Sequence, residues 1–176
     1  MDKKELILHS HSDIQELIRF IDHKAGALLI IYGFIFTATI EFAKDLKLIN
    51  PFALENEWDT FLSILLFLVS LLMLALLIFQ IYFTLFKIIK PRRANNYTQE
   101  EVSVLYFGHT SKCSKEQFIT NFRSISNVDI EKQMLEQIHE ISCILSQKSE
   151  NFNFILKYLF GSIFCLLLFI YLSRTV

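Results

Sequence analysis

The feature that most constrains this chain is a run of 26 residues without one charge, from Phe61 to Phe86. At about 1.5 Å per residue the run makes roughly 39 Å of helix against about 30 Å of bilayer hydrocarbon, so it can cross a membrane with tilt. A β-barrel of the outer-membrane type is excluded on pattern. The apolar runs do not alternate with polar residues, and 4 Gly and 2 Pro are too few for a turn-rich strand protein. Of the 176 residues 53% are hydrophobic and 20% charged, which leaves room for further spans but not for a large catalytic domain beside them.

Two more segments fit the same solvent. One is charge-free from Ala25 to Ile40 before Glu41 interrupts, and Lys24 and Glu41 can reach from its two ends into opposite headgroup layers. The other runs from Phe152 to Leu172 with Lys157 near its start, close enough to an interface to snorkel. The predicted fold is therefore an all-α membrane protein: three transmembrane helices with a small cytoplasmic helical bundle or stalk continuous with the last span. The divisions are a cytoplasmic amphipathic helix (1–24), spans at 25–43, 61–86 and 152–172, an external loop (44–60), a cytoplasmic helical region (87–151) and an external tail (173–176).

Basic residues set the direction. Four precede the first span, two lie in the 44–60 loop and nine lie in 87–151, with Lys87, Lys90, Arg92 and Arg93 directly after the second span. The positive-inside rule then puts the N-terminus and the central region in the cytoplasm, and the 44–60 loop and the tail outside. The first 24 residues carry five acidic and four basic side chains, too long and too acidic a stretch for a cleaved signal. A net charge of −1 implies no nucleic-acid partner. Cys113, Cys143 and Cys165 form no even set, and two of them fall in reducing cytoplasm, so no disulfide is expected.

The cytoplasmic segments read as helices. Leu6, Ile7, Ile14, Leu17, Ile18 and Ile21 mark one face of a helix that continues into the first span. Thr98 with Glu101 predicts a capping box and a helix through Val102, Leu105 and Tyr106 that Gly108 stops. Ser114 with Gln117 predicts a second box, opening a short helix with Phe118, Ile119 and Phe122. Ile130, Met134, Ile138, Ile141 and Leu145 form a seam that wants partner helices. No Pro or Gly lies between Ile130 and Phe160, so stalk and third span can be one helix. A region this small buries little surface alone, and self-association would complete its core.

No motif carries enzyme chemistry. There is no Gly-rich phosphate loop, His-Glu-x-x-His pair or nucleophile elbow. His9, His11 and Asp13 do not converge as a metal site on a helix, because residues two apart point about 200° from each other. His109 and Cys113 have a spacing open to a thiolate pair, but a lone cysteine beside a histidine seldom works as one. Lys90-Pro-Arg-Arg93 ends the second span and fixes its direction. The same residues could bind an anion, because arginine offers a planar fork for a phosphodiester. Asp22 and Lys24, two apart, cannot face each other and serve as an anchor or as gate contacts to other helices. In the second span Ser63, Ser70 and Thr84 share a stripe broken by Leu77, with Gln80 offset from it. The stripe suits helix packing before a pore lining, and three spans alone cannot enclose water.

The run Phe20-Ile-Asp-His-Lys-Ala-Gly-Ala-Leu-Leu29, with Lys90-Pro-Arg-Arg93, Leu105-Tyr-Phe-Gly108 and the approach from Gln137 to Lys148, resembles the transmembrane effector family of Pycsar antiphage systems. The resemblance covers the whole chain in order. It implies a non-enzymatic inner-membrane effector without a resident cofactor, activated by a cyclic nucleotide of pyrimidine type. A partner nucleotide cyclase would make that ligand after phage infection, and the effector would impair the membrane and cause abortive infection. Arg92 and Arg93, with Lys24, are the candidate contacts to the nucleotide phosphate, and membrane lipids and further copies of the chain are the expected partners. A different class of explanation is a membrane scaffold whose stalk binds a cytoplasmic partner with no ligand. A neighbouring cyclase gene would favour the effector, and an envelope or secretion operon the scaffold.

Overall fold

The structure is a computed structural model that describes residues 2–44, 57–91 and 103–175. All regular elements among them are helices: α1 (Lys3–Lys44), α2 (Glu57–Phe83) running on into a π-helical segment (Thr84–Ile89), α3 (Phe107–Thr110), α4 (Lys115–Ser124) and α5 (Asn127–Ser173). Three of the described helices, α1, α2 with its π segment, and α5, are long and apolar enough to cross a membrane. The all-helical, three-span architecture read from the sequence is the one observed, and α5 joins stalk and span without a break.

The chain divides into two units, one of residues 1–21 and 91–149, the other of residues 22–90 and 150–176. The second holds the apolar spans. Its core takes one stripe from each helix. Ala25, Leu28, Tyr32 and Ile35 come from α1, and Leu66, Val69, Met73 and Leu77 from α2. Ile155, Leu159, Cys165, Phe169 and Leu172 come from α5. Steps of three and four, with buried Ser162 between Leu159 and Cys165, keep each stripe on one face. The opposite faces are apolar as well: Phe34, Phe67, Phe160 and Phe164 are 66% to 71% exposed. Helices greasy all round have lipid as their solvent, and their association rests on close packing and polar contacts, because lipid tails are as apolar as the core.

The first unit is built around a polar joint. Gln133 on α5 accepts through Oε1 from the Ser103 hydroxyl and from the Val104 backbone N–H, both at 3.1 Å. The Ser103 N–H donates to His109 Nδ1 at 3.1 Å, and the Leu105 N–H to the Ser103 hydroxyl at 3.3 Å. These bonds take Ser103 to Tyr106 out of any helix. The expected helix through Leu105 and Tyr106, stopped by Gly108, is therefore absent there, and Gly108 lies inside α3. Its missing Cβ leaves room for the Tyr106 ring, whose Cε1 would stand 2.6 Å from an added methyl. Thr98, Glu101 and Val102 lie outside the described residues.

The second capping box is present in full: the Gln117 N–H donates to Ser114 Oγ at 3.2 Å and the Ser114 N–H to Gln117 Oε1 at 3.1 Å. Lys3 and Glu131 form an ion pair between α1 and α5. The seam from Ile130 to Leu145 is only half-buried. The buried side chain of that stretch is the charged Glu140, and Lys148 is buried just beyond it.

Candidate functional site

In the apolar unit, polar side chains converge at one level. Tyr32 of α1, Gln80 of α2, Thr84 of the π segment and Ser162 of α5 are each fully buried. The buried face of α2 advances by steps of three and four, Leu66, Val69, Met73, Leu77, Gln80, Thr84, Ile88, which brings Gln80 and Thr84 inward one turn apart. Ser162 Oγ donates to Gln80 Oε1 at 2.9 Å, a bond between helices 82 residues apart in sequence. Among the described residues Gln80 Nε2 has no hydrogen-bond partner, and the Tyr32 and Thr84 hydroxyls have none in good geometry. Tyr32 and Thr84 face each other in a weak approach that leaves both hydroxyls poorly satisfied. In hydrocarbon each such group carries a cost of roughly 1–3 kcal/mol.

Immediately beyond this layer the backbone changes form. The Lys90 N–H reaches back five residues to the Leu85 carbonyl at 2.9 Å, and Lys90 turns the chain with φ −51° and ψ 127°. A π turn is rare inside α-helices and is frequently found at functional sites. It also leaves carbonyls without helical donors. Asn151 at the start of the third apolar stretch answers one of them, with Nδ2 donating to the Lys87 carbonyl at 3.2 Å. Phe83 against Phe154 and Phe79 against Tyr158 pack the same α2–α5 contact, with ring centroids 5.2 and 5.5 Å apart.

Of the candidate phosphate contacts, Lys24 is exposed on α1, and Arg92 and Arg93 lie outside the described residues. The predicted stripe is only partly a unit. Thr84 is buried and Ser63 Oγ is buried without a partner, whereas Ser70 turns its hydroxyl onto its own helix at the Phe67 carbonyl, 2.7 Å away. Gln80, set aside as offset from that stripe, is the residue that reaches another helix. Counting by sevens from Ser63 misses it. An amide inside a charge-free span is the signal that finds it. His9 pairs with Asp13 at 2.7 Å and His11 meets Gln15 at 3.4 Å, so the N-terminal histidines are engaged one turn along their own helix. His109 accepts from Ser103 rather than turning to Cys113, and Cys143 lies 3.9 Å from His139.

Three long apolar helices around a polar layer, with an outward surface of phenylalanine and leucine, define an integral membrane protein. More narrowly, the chain belongs to the family of Pycsar antiphage effectors: residues 6–174 match the Pycsar effector protein domain. No curated protein and no solved structure matches the chain.

Proposed function

We propose that this protein is a membrane effector switched on by a cyclic nucleotide, and that in its active form it impairs the bacterial inner membrane so that an infected cell dies by abortive infection. The observation that carries this is the family match over residues 6–174, which takes in the apolar stretches of all three long helices. The ligand is a cyclic pyrimidine nucleotide made by a partner cyclase, and the protein acts without catalysis. The N-terminus and residues 87–151 face the cytoplasm, where the ligand would appear, as the concentration of basic residues there supports.

Ligand binding falls to the basic end of the second span. Arg92 and Arg93, with Lys24 as a further contact, hold the phosphate through charge-assisted hydrogen bonds. The active form is an oligomer, for three spans cannot enclose water by themselves. Exposed Leu6 and Leu17 and the half-buried seam from Ile130 to Leu145 leave apolar surface for other copies to cover. A ligand shifts the population only by its difference in affinity for the two forms.

Dye release from liposomes carrying the purified protein tests the whole reading. Cyclic UMP or cyclic CMP should release dye where cyclic AMP and cyclic GMP do not. Arg92→Ala or Arg93→Ala should weaken nucleotide binding by about 1.5–3 kcal/mol, tenfold or more in Kd, once normal insertion is verified. Inserted, nucleotide-bound protein that releases no dye would assign the killing step to another protein.

A further inference from the structure

The polar layer of the membrane unit is more than packing requires. Tyr32, Gln80, Thr84 and Ser162 come from all three apolar helices and are wholly buried, yet Ser162 to Gln80 is the one well-formed hydrogen bond among them, beside a weak approach of Tyr32 to Thr84. Gln80 Nε2 can only donate, and the two hydroxyls can donate and accept, so water or a hydrated ion satisfies all three where another apolar side chain satisfies none. Phenylalanine, valine and leucine would fill much the same volumes at positions 32, 84 and 80 without unpaired polar atoms. The closed bundle is therefore raised in free energy against any arrangement in which this layer is wet. The layer also lies within two helical turns of Lys87, where the chain leaves the apolar span through the π segment.

We infer that Tyr32, Gln80, Thr84 and Ser162 form the layer that water and small hydrated ions enter when the protein is activated, each copy in the active oligomer turning its layer toward a shared path, with the Ser162–Gln80 hydrogen bond holding it shut at rest. This rests on the reading of the chain as a membrane-impairing effector and adds to it the lining and its chemistry. The lining groups are neutral, so passage has little preference between cations and anions. The unpaired groups drive opening, and the single bond opposes it. A charge placed at Gln80 would impose selectivity that the parent lacks.

Three measurements test this. In lipid nanodiscs Tyr32→Phe and Thr84→Val should each raise the melting temperature, because each removes an unpaired buried hydroxyl, and failure of either to do so overturns the inference. In proteoliposomes Thr84→Cys, which leaves the Ser162–Gln80 bond in place, in a background with Cys113→Ser, Cys143→Ser and Cys165→Ala, should react with a cationic methanethiosulfonate about tenfold faster when cyclic UMP or cyclic CMP is added. In planar bilayers with a potassium chloride gradient, Gln80→Glu should move the reversal potential toward that of potassium. Dye release with no acceleration at Thr84→Cys, or with an unmoved reversal potential, overturns the lining and leaves the effector reading standing. If the parent protein releases no dye with either nucleotide, both fall together.

Discussion

At the scale of single residues, the side chains that organise this protein are amides. Gln133 receives two donors on one oxygen, both from the buried pair Ser103 and Val104. Gln133→Ala leaves those donors unpaired and should cost about 1–3 kcal/mol of local stability, whereas Gln133→Glu keeps an acceptor in place and should cost less. Amide hydrogen exchange at Val104 and Leu105 in the two variants is the check, and equal protection in both would show that the joint does not depend on the acceptor. None of this was legible in the sequence. An amide advertises that it can bond, but its partners here lie about 30 residues away and are fixed by tertiary placement. Gln80 differs, because an amide between leucines and phenylalanines in a charge-free run is conspicuous before any fold is known.

At the scale of elements, local rules succeeded where partners are local. The Ser114–Gln117 box spans three residues and formed as its spacing predicts. Ser114→Ala should destabilise α4 by roughly 1 kcal/mol, with Gln117→Ala costing less because it leaves the Ser114 bond intact. Loss of exchange protection over residues 115–120 would report it, and unchanged protection would mean that the ten-residue helix is held by something other than its cap. A helix this short is marginal by itself, and none of its side chains is fully buried. The helix that the sequence placed most surely is α2, from its charge-free run, and α1 and α5 followed from apolar periodicity that continues for several turns. Ser103 to Tyr106 failed that test because its backbone donors go to Gln133, His109 and Ser103 itself. The π segment was illegible: Thr84-Leu-Phe-Lys-Ile-Ile89 has the composition of an ordinary helix, and only packing decides between four and five residues per hydrogen-bonded step.

At the scale of the whole molecule, the bilayer makes the fold readable. It demands internally satisfied backbones, which leaves helices as the answer to three long apolar runs. The seam of the central region was less informative. Its aliphatic residues are half-exposed while Glu140 and Lys148 are buried, because a small unit with few apolar residues fills its interior with whatever its helices present. Orientation belongs to this scale too. With single cysteines at Lys115 and Glu55 in a cysteine-free background, an impermeant thiol reagent on intact cells should label position 55 and spare 115. The reverse pattern would invert the topology.

The π segment has a consequence in the language of genes. A π turn is an α-helix carrying one extra residue, so Thr84–Ile89 amounts to a single added codon in an otherwise regular span. Upstream, removing a codon would turn everything after it by about 100° and swing Gln80 and Thr84 off the buried face. Inside the segment, the same deletion returns the backbone to α geometry and leaves Leu66 through Gln80 where they stand. Insertions and deletions that separate relatives of this chain therefore have a natural home in six residues of an otherwise rigid span, and a gapless alignment across them compares side chains that point in different directions.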